Sequence, residues 1–335
     1  MTKIYRDRPE DITKVIKLLS EGSVVAIPTE TVYGLAVDAF NEEATREIFS
    51  IKGRPLIDPL IVHAIDMEGV ERLASLNHAG NKLADKFWPG PLTLVLPKKP
   101  EVPGIVTADR DTVAVRVPSH PVLRKVLGIS KLCLAAPSAN PFGYISPTKV
   151  EHVLDSLGDN LDYILNGGPC TIGMESTIVD ITDPTKPVLL RPGAITSEML
   201  SEALGLLVEI DPGDKKAVRG KTDAMRAPGM MKKHYSPKTR LMMLESESPL
   251  EATNENYRAV IYFKRREIPP MTKQANAYWL TEDGDLSEAA HKLFHLLRVV
   301  DQKGYDVIYI EAAPEEGIGV AINNRLRRAS NGHYG

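Results

Sequence analysis

Short apolar runs that end abruptly in polar residues recur along this chain of 335 residues. Residues 24–27 lead directly into the sequence PTETVYGL at 28–35, residues 59–63 end in a histidine, and residues 132–136 lead into PSAN at 137–140. Apolar runs of this length, bounded by turn residues, are typical of buried strands. Because α/β proteins present binding groups where buried strands end, the pattern predicts an α/β fold with polar groups gathered at one edge of its sheet.

Other segments of the first half of the chain fit the same fold class. Apolar residues with helical spacing between positions 12 and 19 predict a first helix, and residues 42–51 predict a second. In the strand predicted over residues 112–117 valines alternate with other residues, so Arg116 should point to the face opposite the valines. The remaining strands predicted in this half are residues 93–96, 163–165, 176–179 and 188–191.

Cationic and hydroxyl residues follow many of these predicted strands. Structural turns explain the prolines and glycines, and solvated helix ends explain isolated cations, so each short motif has a purely structural explanation. The repetition is better explained if these residues converge on one cleft, where they would bind an anionic ligand that carries phosphates and a carboxylate. The residues of this set are Thr31, Lys52, Arg54, His63, Arg116, Ser138, Asn140, Ser176 and Arg191.

The spacing of the predicted elements divides the chain into two domains and a linker. Residues 1–207 form the first domain, and a helix near its end closes it. From 208 to 240 hydrophobic periodicity disappears and proline and glycine interrupt the sequence, which is typical of a linker. Residues 241–335 return to a strand–helix–strand–helix order, and this order predicts a small α/β domain with parallel strands.

The predicted linker carries most of the unbalanced positive charge of the chain. Between residues 215 and 240 there are nine lysines and arginines against one acid, a formal charge of +8 within a chain of net charge −3. Such a segment favours an anionic partner, either a nucleotide or RNA. We therefore expect residues 208–240 to act as a lid over the cleft rather than as a simple spacer.

Composition excludes several classes of protein. The net charge of −3 is unlike that of a dedicated nucleic-acid binder, and no apolar run approaches the roughly 20 residues of a membrane span. The first residues are polar and lack the apolar core of a signal peptide, and two cysteines provide no disulfide framework. We expect a cytoplasmic protein that has no membrane partner.

Known nucleotide and metal motifs are absent from the sequence. There is neither a P-loop nor a G-x-G-x-x-G sequence. His291 and His295 stand four residues apart on the helix predicted over 285–302, which is a spacing of metal ligands. No third ligand accompanies them, so a solvated helix face explains these two histidines better than a zinc site does, and we expect no protein metal centre.

Five ordered motifs together carry a resemblance to a known family. They are PTETVYGL (28–35), KGRPxxxPLxxH (52–63), PSAN (137–140), ESTIVD (175–180) and LRPG (190–193), and they resemble the YrdC/Sua5 family. The sequence APGMxxxHYSP (227–237) and the second domain, which ends in GIGVAINNRLRRAS (317–330), are similar to the longer, two-domain Sua5 type. The resemblance thus spans nearly the whole chain.

This resemblance implies a fold and an activity. The fold is a twisted α/β sheet with a concave, positively charged surface, followed by a small Rossmann-like C-terminal domain. The activity is that of an L-threonylcarbamoyladenylate synthase, a nucleotidyltransferase that combines L-threonine, bicarbonate and ATP into threonylcarbamoyl-AMP and pyrophosphate. Mg²⁺ is expected with the ATP. The product would pass to a separate transferase complex that modifies adenosine 37 of tRNA.

The resemblance also implies roles for individual residues. Lys52, Arg54, Ser138 and Asn140 would be catalytic, since the second step transfers a nucleotidyl group and depends on positioning and charge neutralisation. The threonine-binding residues would be Thr31, His63, Arg116, Ala136 and Ser176. The ATP-binding residues would be Arg54, Asp58, Thr112, Ser138, Ser146, Arg191 and Tyr235.

Two positions depart from the family pattern. Asp58 stands where asparagine is common, so a carboxylate there could bind Mg²⁺ or ribose instead of phosphate. The linker has Met231 and Lys232 where an aromatic residue is common, which leaves His234 and Tyr235 as the expected linker contacts. Glu30, inside the first motif, has no implied role.

Two other functions remain as alternatives. A basic cleft and a basic linker could belong to a module that binds double-stranded RNA or tRNA, or that assists ribosome assembly, and weak RNA binding would be compatible with the synthase as well. YrdC-like domains also make a different carbamoyl adenylate in hydrogenase maturation, but the acylphosphatase and zinc-finger segments of those proteins are missing here.

Overall fold

A computed structural model of the chain describes residues 1–211, 224–231, 234–244, 258–266 and 276–331. Its strands form two sheets, one of eleven strands and one of four, so the predicted α/β class is confirmed. The larger sheet contains β1 (Lys3–Arg6), β2 (Val25–Ile27), β3 (Gly34–Asp38), β4 (Ile61–His63), β5 (Leu92–Pro97), β6 (Thr112–Arg116), β7 (Leu134–Ala135), β8 (Tyr163–Asn166), β9 (Thr177–Asp180), β10 (Val188–Arg191) and β11 (Glu209–Ile210).

The larger sheet is mixed, with the strand order β1-β8-β2-β3-β7-β4-β6-β5-β9-β10-β11. In its centre β4 runs parallel to β6, so that His63 lies opposite Arg116, and β7 runs antiparallel to β4. Side chains two residues apart on a strand share a face. Ile61 and His63 therefore project from the same face of the sheet, with Arg116 beside His63 on the next strand.

This geometry changes the expected location of the polar residues. The sequence predicted that they gather at the edge of the sheet, where strands end. The central strands are short, three residues in β4 and two in β7, so residues at their ends are close to residues on the sheet face. The polar groups consequently collect on a sheet face as well as at strand ends.

Three strands of the larger sheet were not predicted from the sequence, and one of them, β11, lies in the segment predicted to be the linker and pairs with β10. In β1 only Tyr5 is buried, so the strand has no apolar run to reveal it. The third strand, β3, begins inside the PTETVYGL motif at Gly34, which the sequence suggested was part of a polar turn. The turn is confined to residues 28–33, and β3 pairs antiparallel with β2 on the other side of it.

Several helices around the sheet begin or end at residues that favour these positions. For example, the side chain of Asn41 accepts a hydrogen bond from Ala44 N at 3.0 Å, and Gly53 ends the same helix with φ of 61°. None of the helices that the structure describes is long and apolar enough to cross a membrane. They are α1 (Pro9–Ser20), α2 (Glu42–Lys52), α3 (Met67–Glu71), α4 (His78–Phe87), α5 (Gly104–Thr107), α6 (Pro121–Ser130), α7 (Val150–Leu157) and α8 (Ser197–Leu204).

The smaller sheet contains only parallel strands, as the sequence predicted. Its order is β12-β15-β13-β14, and the helices α9 and α10 pack on each other beside it. β14 was not predicted, whereas the other strands and both helices were. The elements are β12 (Arg240–Met243), β13 (Arg258–Lys264), β14 (Ala277–Thr281), α9 (Leu286–Asp301), β15 (Val307–Ile310) and α10 (Gly319–Ser330).

Histidines connect the two parts of the chain. Thr148 N donates a hydrogen bond to His152 Nδ1 (3.2 Å), and His152 Nε2 lies 3.2 Å from Nδ1 of His295 on α9. One turn earlier on α9, His291 Nδ1 donates a hydrogen bond to Thr171 O at 3.1 Å. The two histidines of α9 are exposed, as expected for a solvated helix face, but they also contact the first domain, which the sequence did not indicate.

The neutral form of His152 is required by these hydrogen bonds. Because Nδ1 accepts from a backbone N–H, the ring carries its single proton on Nε2 and donates it to His295. Burial, reinforced by the nearby Arg298, Lys149 and His295, lowers the pKa of His152 to about 3. Protonation of this ring would place a second donor against Thr148 N and disrupt the contact.

Acidification should therefore destabilise the protein in part through His152. A histidine with a pKa of 6.5 when unfolded and about 3 when folded stabilises the native state fully above pH 6.5 and loses this effect as the pH falls towards 3. Between pH 7 and pH 5 one such histidine lowers the free energy of unfolding by about 2 kcal/mol. Urea unfolding of wild type and His152→Gln at both pH values measures it. An equal loss in the two proteins would contradict the role given to His152.

Candidate active site

A cavity lies against the face of the larger sheet at β4 and β6. Its volume is about 50 Å³, enough for a small ligand the size of a few water molecules. The wall combines apolar side chains with three arginines, and residues from the linker close it. The lining residues are Thr29, Thr31, Val32, Gly34, Arg54, Ile61, His63, Arg116, Ala136, Pro137, Ser138, Glu175, Ser176, Arg191, Pro228, Gly229, His234 and Tyr235.

Thr29 organises the turn that forms one wall of the cavity. Its Oγ1 accepts hydrogen bonds from Thr31 N (3.0 Å) and Val32 N (3.1 Å) and donates to Val32 O (2.7 Å). Thr31 Oγ1 then donates to Thr29 Oγ1 at 2.7 Å. Because its proton is used in this way, the Thr31 hydroxyl acts as an acceptor towards the cavity.

Arg116 supplies positive charge at this wall and is itself fixed by three groups. Nε donates to Gly90 O (3.1 Å), Nη1 donates to Thr31 Oγ1 (3.0 Å), and Nη2 lies 2.6 Å from Glu30 Oε1. Burial alone would raise the pKa of Glu30, but Arg116 and the hydrogen bond from Ser119 N lower it to about 2. Glu30 is thus ionised and paired with Arg116, a role that the sequence did not reveal.

His63 lies next to Arg116 and is neutral. Burial, together with the charge of Arg116, lowers its pKa to about 3. Nδ1 lies 3.4 Å from Leu134 O, a carbonyl that can only accept, so Nδ1 carries the proton. The remaining nitrogen, Nε2, is therefore a hydrogen-bond acceptor beside the arginine.

The KGRP motif places Lys52 at the end of α2, where it contacts the PSAN turn rather than the cavity. Its Nζ donates to Ser138 O (2.5 Å) and Asn140 O (2.6 Å), and burial lowers its pKa well below the usual value. The Asn140 amide in turn donates to Pro141 O and Tyr144 O. Lys52 and Asn140 therefore fix the turn from which Ser138 faces the cavity.

Arg54 does reach the cavity, and Asp58 is its partner. Nε donates to Asp58 O (3.0 Å), Nη2 donates to Pro59 O (2.6 Å), and Nη2 also lies 3.0 Å from Asp58 Oδ2. The Asp58 side chain is completely buried, and burial raises its pKa against the opposing charges of Arg54, Lys52 and Arg191. The Asp58 carboxylate therefore lies where it compensates the charge of Arg54.

Arg191 and Ser176 form the opposite side of the cavity. Nε of Arg191 donates to Ser176 O (3.0 Å) and Nη2 donates to Ser176 Oγ (3.0 Å), while Ser176 Oγ is 2.8 Å from Thr93 Oγ1. Nη1 donates to Pro228 O, which belongs to the linker. Arg191 thus connects the sheet with the segment that closes the cavity.

Glu175 and Arg325 form a second connection that sequence reasoning missed. Arg325, on α10 of the second domain, donates from Nε to Glu175 Oε2 (3.0 Å) and from Nη1 to Pro192 O (2.8 Å). The other oxygen of Glu175 accepts a hydrogen bond from Ser146 Oγ at 2.5 Å. Both residues stand within quoted motifs, ESTIVD and GIGVAINNRLRRAS, but contacts between residues 150 positions apart are not visible in a sequence.

The segment that closes the cavity consists of Pro228, Gly229, His234 and Tyr235. Tyr235 is buried with φ of 63°, and its ring stacks on Phe294 of α9 with centroids 5.7 Å apart. A Cβ at Gly229, whose φ is 79°, would lie 2.7 Å from Tyr235 Oη, so this close approach requires glycine.

The basic run of the linker is largely outside the described residues. The lysines and arginines at 215, 216, 219, 221, 232 and 233 lie outside the described residues, so the lid role predicted for this run is not tested. Arg226 is described, and its guanidinium pairs with Asp180 at 2.8 Å instead of entering the cavity. The linker residues that do line the cavity are uncharged, and this includes His234, because burial lowers its pKa well below the usual value.

Most of the residues singled out in the sequence come together in the structure. Lys52, Asp58, Asn140 and Ser146 lie one contact behind the cavity wall, through the partners given above. Thr112 is at the other end of β6 from Arg116, about 13 Å along the strand, and does not line the cavity. Those that line it are Thr31, Arg54, His63, Arg116, Ala136, Ser138, Ser176, Arg191 and Tyr235.

The described residues contain no group of three or more metal-binding side chains close together. Glu175 is the carboxylate that lines the cavity, and both of its oxygens already accept hydrogen bonds. The chain thus provides no cage for a divalent cation in the part that the structure describes. Any such cation would be bound mainly by the phosphates of a ligand, as is usual for Mg²⁺.

Comparison with known families places this site in context. The model described as Telomere recombination, Sua5/YciO/YrdC, matches residues 17–193, more than half of the chain. The chain belongs to the Sua5/YciO/YrdC family. A second model, described as Threonylcarbamoyl-AMP synthase, C-terminal domain, matches residues 195–331.

Relatives in this family are similar over nearly their whole length. Threonylcarbamoyl-AMP synthase of Pyrococcus abyssi is 40% identical and covers 93% of this chain and 92% of its own length. The enzyme of the same name from Bacillus subtilis is 38% identical, with coverage of 96% and 93%. The crystal structure of P. abyssi Sua5 complexed with L-threonine matches with a TM-score of 0.87, 36% identity and coverage of 99% and 98%.

The Glu175–Arg325 pair should be essential for stability. Arg325→Ala leaves a buried carboxylate without its cation, and the loss of one partner of a buried ion pair costs about 3–5 kcal/mol. Arg327→Ala is the matched control on the same helix, since its pair with Glu315 is exposed and contributes less than about 1 kcal/mol. Urea unfolding measures both. Equal stabilities for the two variants would show that the buried pair does not stabilise the fold.

Proposed function

We propose that this protein is an L-threonylcarbamoyladenylate synthase. It would convert L-threonine, bicarbonate and ATP into threonylcarbamoyl-AMP and pyrophosphate, which is a nucleotidyl transfer. One observation carries the proposal. A single cavity has Arg116 on one side, suited to an amino acid carboxylate, beside the acceptor Thr31, suited to an amine, and has Arg54 and Arg191 on the others, suited to phosphate. The names of the P. abyssi and B. subtilis relatives support it.

L-threonine would bind at the side of the cavity near β6. Its carboxylate would accept hydrogen bonds from the guanidinium of Arg116, and its amine would donate to Nε2 of the neutral His63. Apolar atoms of Val32 and Ile61 line the same wall and would contact its methyl group. The P. abyssi structure was solved with this amino acid, which supports the assignment.

The reaction would then proceed in two steps. The amine of threonine, once unprotonated, attacks the carbon of bicarbonate, and the loss of one water molecule leaves a carbamate on the amine nitrogen. An oxygen of the carbamate attacks the α-phosphorus of ATP, and pyrophosphate leaves with the electron pair of the broken P–O bond. The second step builds up charge on phosphate oxygens, which Arg54 and Arg191 would neutralise.

The remaining site residues would act on the same two steps. Ser138 would donate a hydrogen bond to a phosphate oxygen, and Lys52 and Asn140 would fix its turn. Ser176 would orient Arg191, and Tyr235 would cover the nucleotide from the linker. Mg²⁺ bound to the ATP phosphates would add charge neutralisation, although the described residues supply no cage for it.

The cavity in this structure is too small for ATP to enter without a change of conformation. A volume of about 50 Å³ corresponds to a few water molecules, so both L-threonine and ATP need more room than the cavity encloses in this conformation. Movement of the segment that carries Tyr235 would open the phosphate side. Closure afterwards would exclude water, and the carbamate needs this protection because it decomposes in water.

The product is a mixed anhydride of a carbamic acid and a phosphate, so it must be consumed by an acyl transfer. A transferase complex that acts on adenosine 37 of tRNA would take this role. The described structure contains no surface that we assign to that complex or to RNA.

One assay tests the proposal and separates it from RNA binding. Purified protein is incubated with ATP, bicarbonate and L-threonine, and pyrophosphate release is measured. We expect release that requires all three substrates, with L-serine and D-threonine as controls for the amino acid. Release that does not depend on threonine, or no release together with tight RNA binding, would overturn the proposal.

Removal of the Arg54 charge should abolish nucleotide turnover without unfolding the protein. The double variant Arg54→Met with Asp58→Asn removes both members of the buried pair, so that no unpaired charge remains. We expect kcat/KM for ATP to fall by about 100-fold or more, because one phosphate-neutralising group is lost.

The control for this variant is Arg226→Ala, which removes an arginine paired with an aspartate outside the cavity. It should keep kcat/KM within about twofold of wild type, whereas a similar loss in both would point to a general effect of charge. Circular dichroism confirms that each variant is folded.

A further inference from the structure

We propose that Glu30 positions Arg116 for the carboxylate of the amino acid substrate, an inference that rests on the proposed function. The two side chains are almost completely buried, with 4% and 2% of their surfaces exposed. Glu30 stands in the PTETVYGL motif but does not line the cavity. It can therefore act on the substrate only through the arginine.

The contacts of Arg116 explain how this works. A guanidinium has five N–H groups. Nε donates to Gly90 O and Nη1 donates to Thr31 Oγ1, so two of the three guanidinium nitrogens are held in place. Glu30 Oε1 lies 2.6 Å from the third nitrogen, Nη2, and holds it by charge. The backbone N–H of Ser119 donates to the same oxygen, so the carboxylate is itself anchored.

The arginine nevertheless retains unused donors. Nη2 is buried, and within the part of the chain that the structure describes it makes no hydrogen bond of good geometry in spite of its closeness to Glu30. The second hydrogen of Nη1 has no partner among the described residues either, and both nitrogens belong to a side chain that lines the cavity. A carboxylate that forms a bidentate pair with a guanidinium accepts hydrogen bonds from two adjacent N–H groups.

Charge compensation follows from the same contact. Without Glu30 the cavity would contain an uncompensated guanidinium in addition to Arg54 and Arg191, and it would attract any small anion. With Glu30 ionised, the Arg116 site is close to neutral and offers directed donors. A zwitterionic amino acid, which brings no net charge, suits such a site better than a free anion does.

Variants at position 30 test this inference through the two KM values. Glu30→Ala should raise KM for L-threonine at least tenfold and leave KM for ATP within twofold, because Arg116 loses its orientation and Arg54 does not. Glu30→Gln keeps an oxygen for Nη2 and for Ser119 N, so it should raise KM for L-threonine only three- to fivefold. Acetate should compete with L-threonine more strongly in both variants than in wild type.

The controls distinguish positioning from a purely structural role. Asp180→Ala removes a carboxylate that pairs with Arg226 away from the cavity, and it should change neither KM. If Glu30→Ala does not fold, Glu30→Gln decides the question alone. A KM for L-threonine within twofold of wild type in a folded variant, or equal increases in both KM values, would overturn the inference.

The proposed function and this inference can fail separately. A wild-type protein that shows no threonine-dependent release of pyrophosphate would refute the function, whatever the variants do. Normal turnover in the wild type together with unchanged threonine kinetics in the variants would refute only the role of Glu30.

Discussion

Compensation of buried positive charge is the constraint on which this structure depends. Lys52, Arg54, Arg116, Arg191 and Arg325 are all buried around one small cavity. A buried charge costs several kcal/mol unless an opposite charge or several hydrogen bonds compensate it. Each cation here has such partners, and those partners determine how the surrounding loops fold.

The partners differ in kind, and this difference indicates what each cation can do. The three arginines at 54, 116 and 325 each pair with a carboxylate, Asp58, Glu30 and Glu175 respectively. Within the described parts of the chain, Lys52 and Arg191 form no ion pair and instead donate to carbonyl and hydroxyl oxygens. A ligand with several negative charges would therefore find the net positive charge of the cavity wall mainly at Arg191, since Lys52 lies behind that wall.

The sequence predicted the cations and hydroxyls of the site, but not the network behind them. Nine of the residues singled out in the sequence line the cavity. They could be predicted because short buried strands followed by polar residues are a strong local signal. Glu30 could not be assigned, since its pairing with Arg116 depends on which strands are neighbours in the sheet, whereas Asp58, implied to bind ATP, pairs with Arg54 four residues before it. The strand order, in which β4 lies beside β6 and β7, is a consequence of the whole fold. Arg325 is further still from its partner in sequence and has no local signal at all.

Buried polar atoms without hydrogen bonds are concentrated in and behind the cavity. Ten such atoms occur among the described residues, and seven of them belong to Glu30, Asp58, Arg116, Asn140, His234 and Tyr235, all in or behind the cavity. Each buried polar atom left unsatisfied costs about 1–3 kcal/mol, so native proteins contain few of them. Their concentration at one site means that the folded chain alone does not complete its hydrogen bonds there. A polar ligand recovers part of this free energy when it binds, which is a physical reason for the cavity to select charged substrates over water.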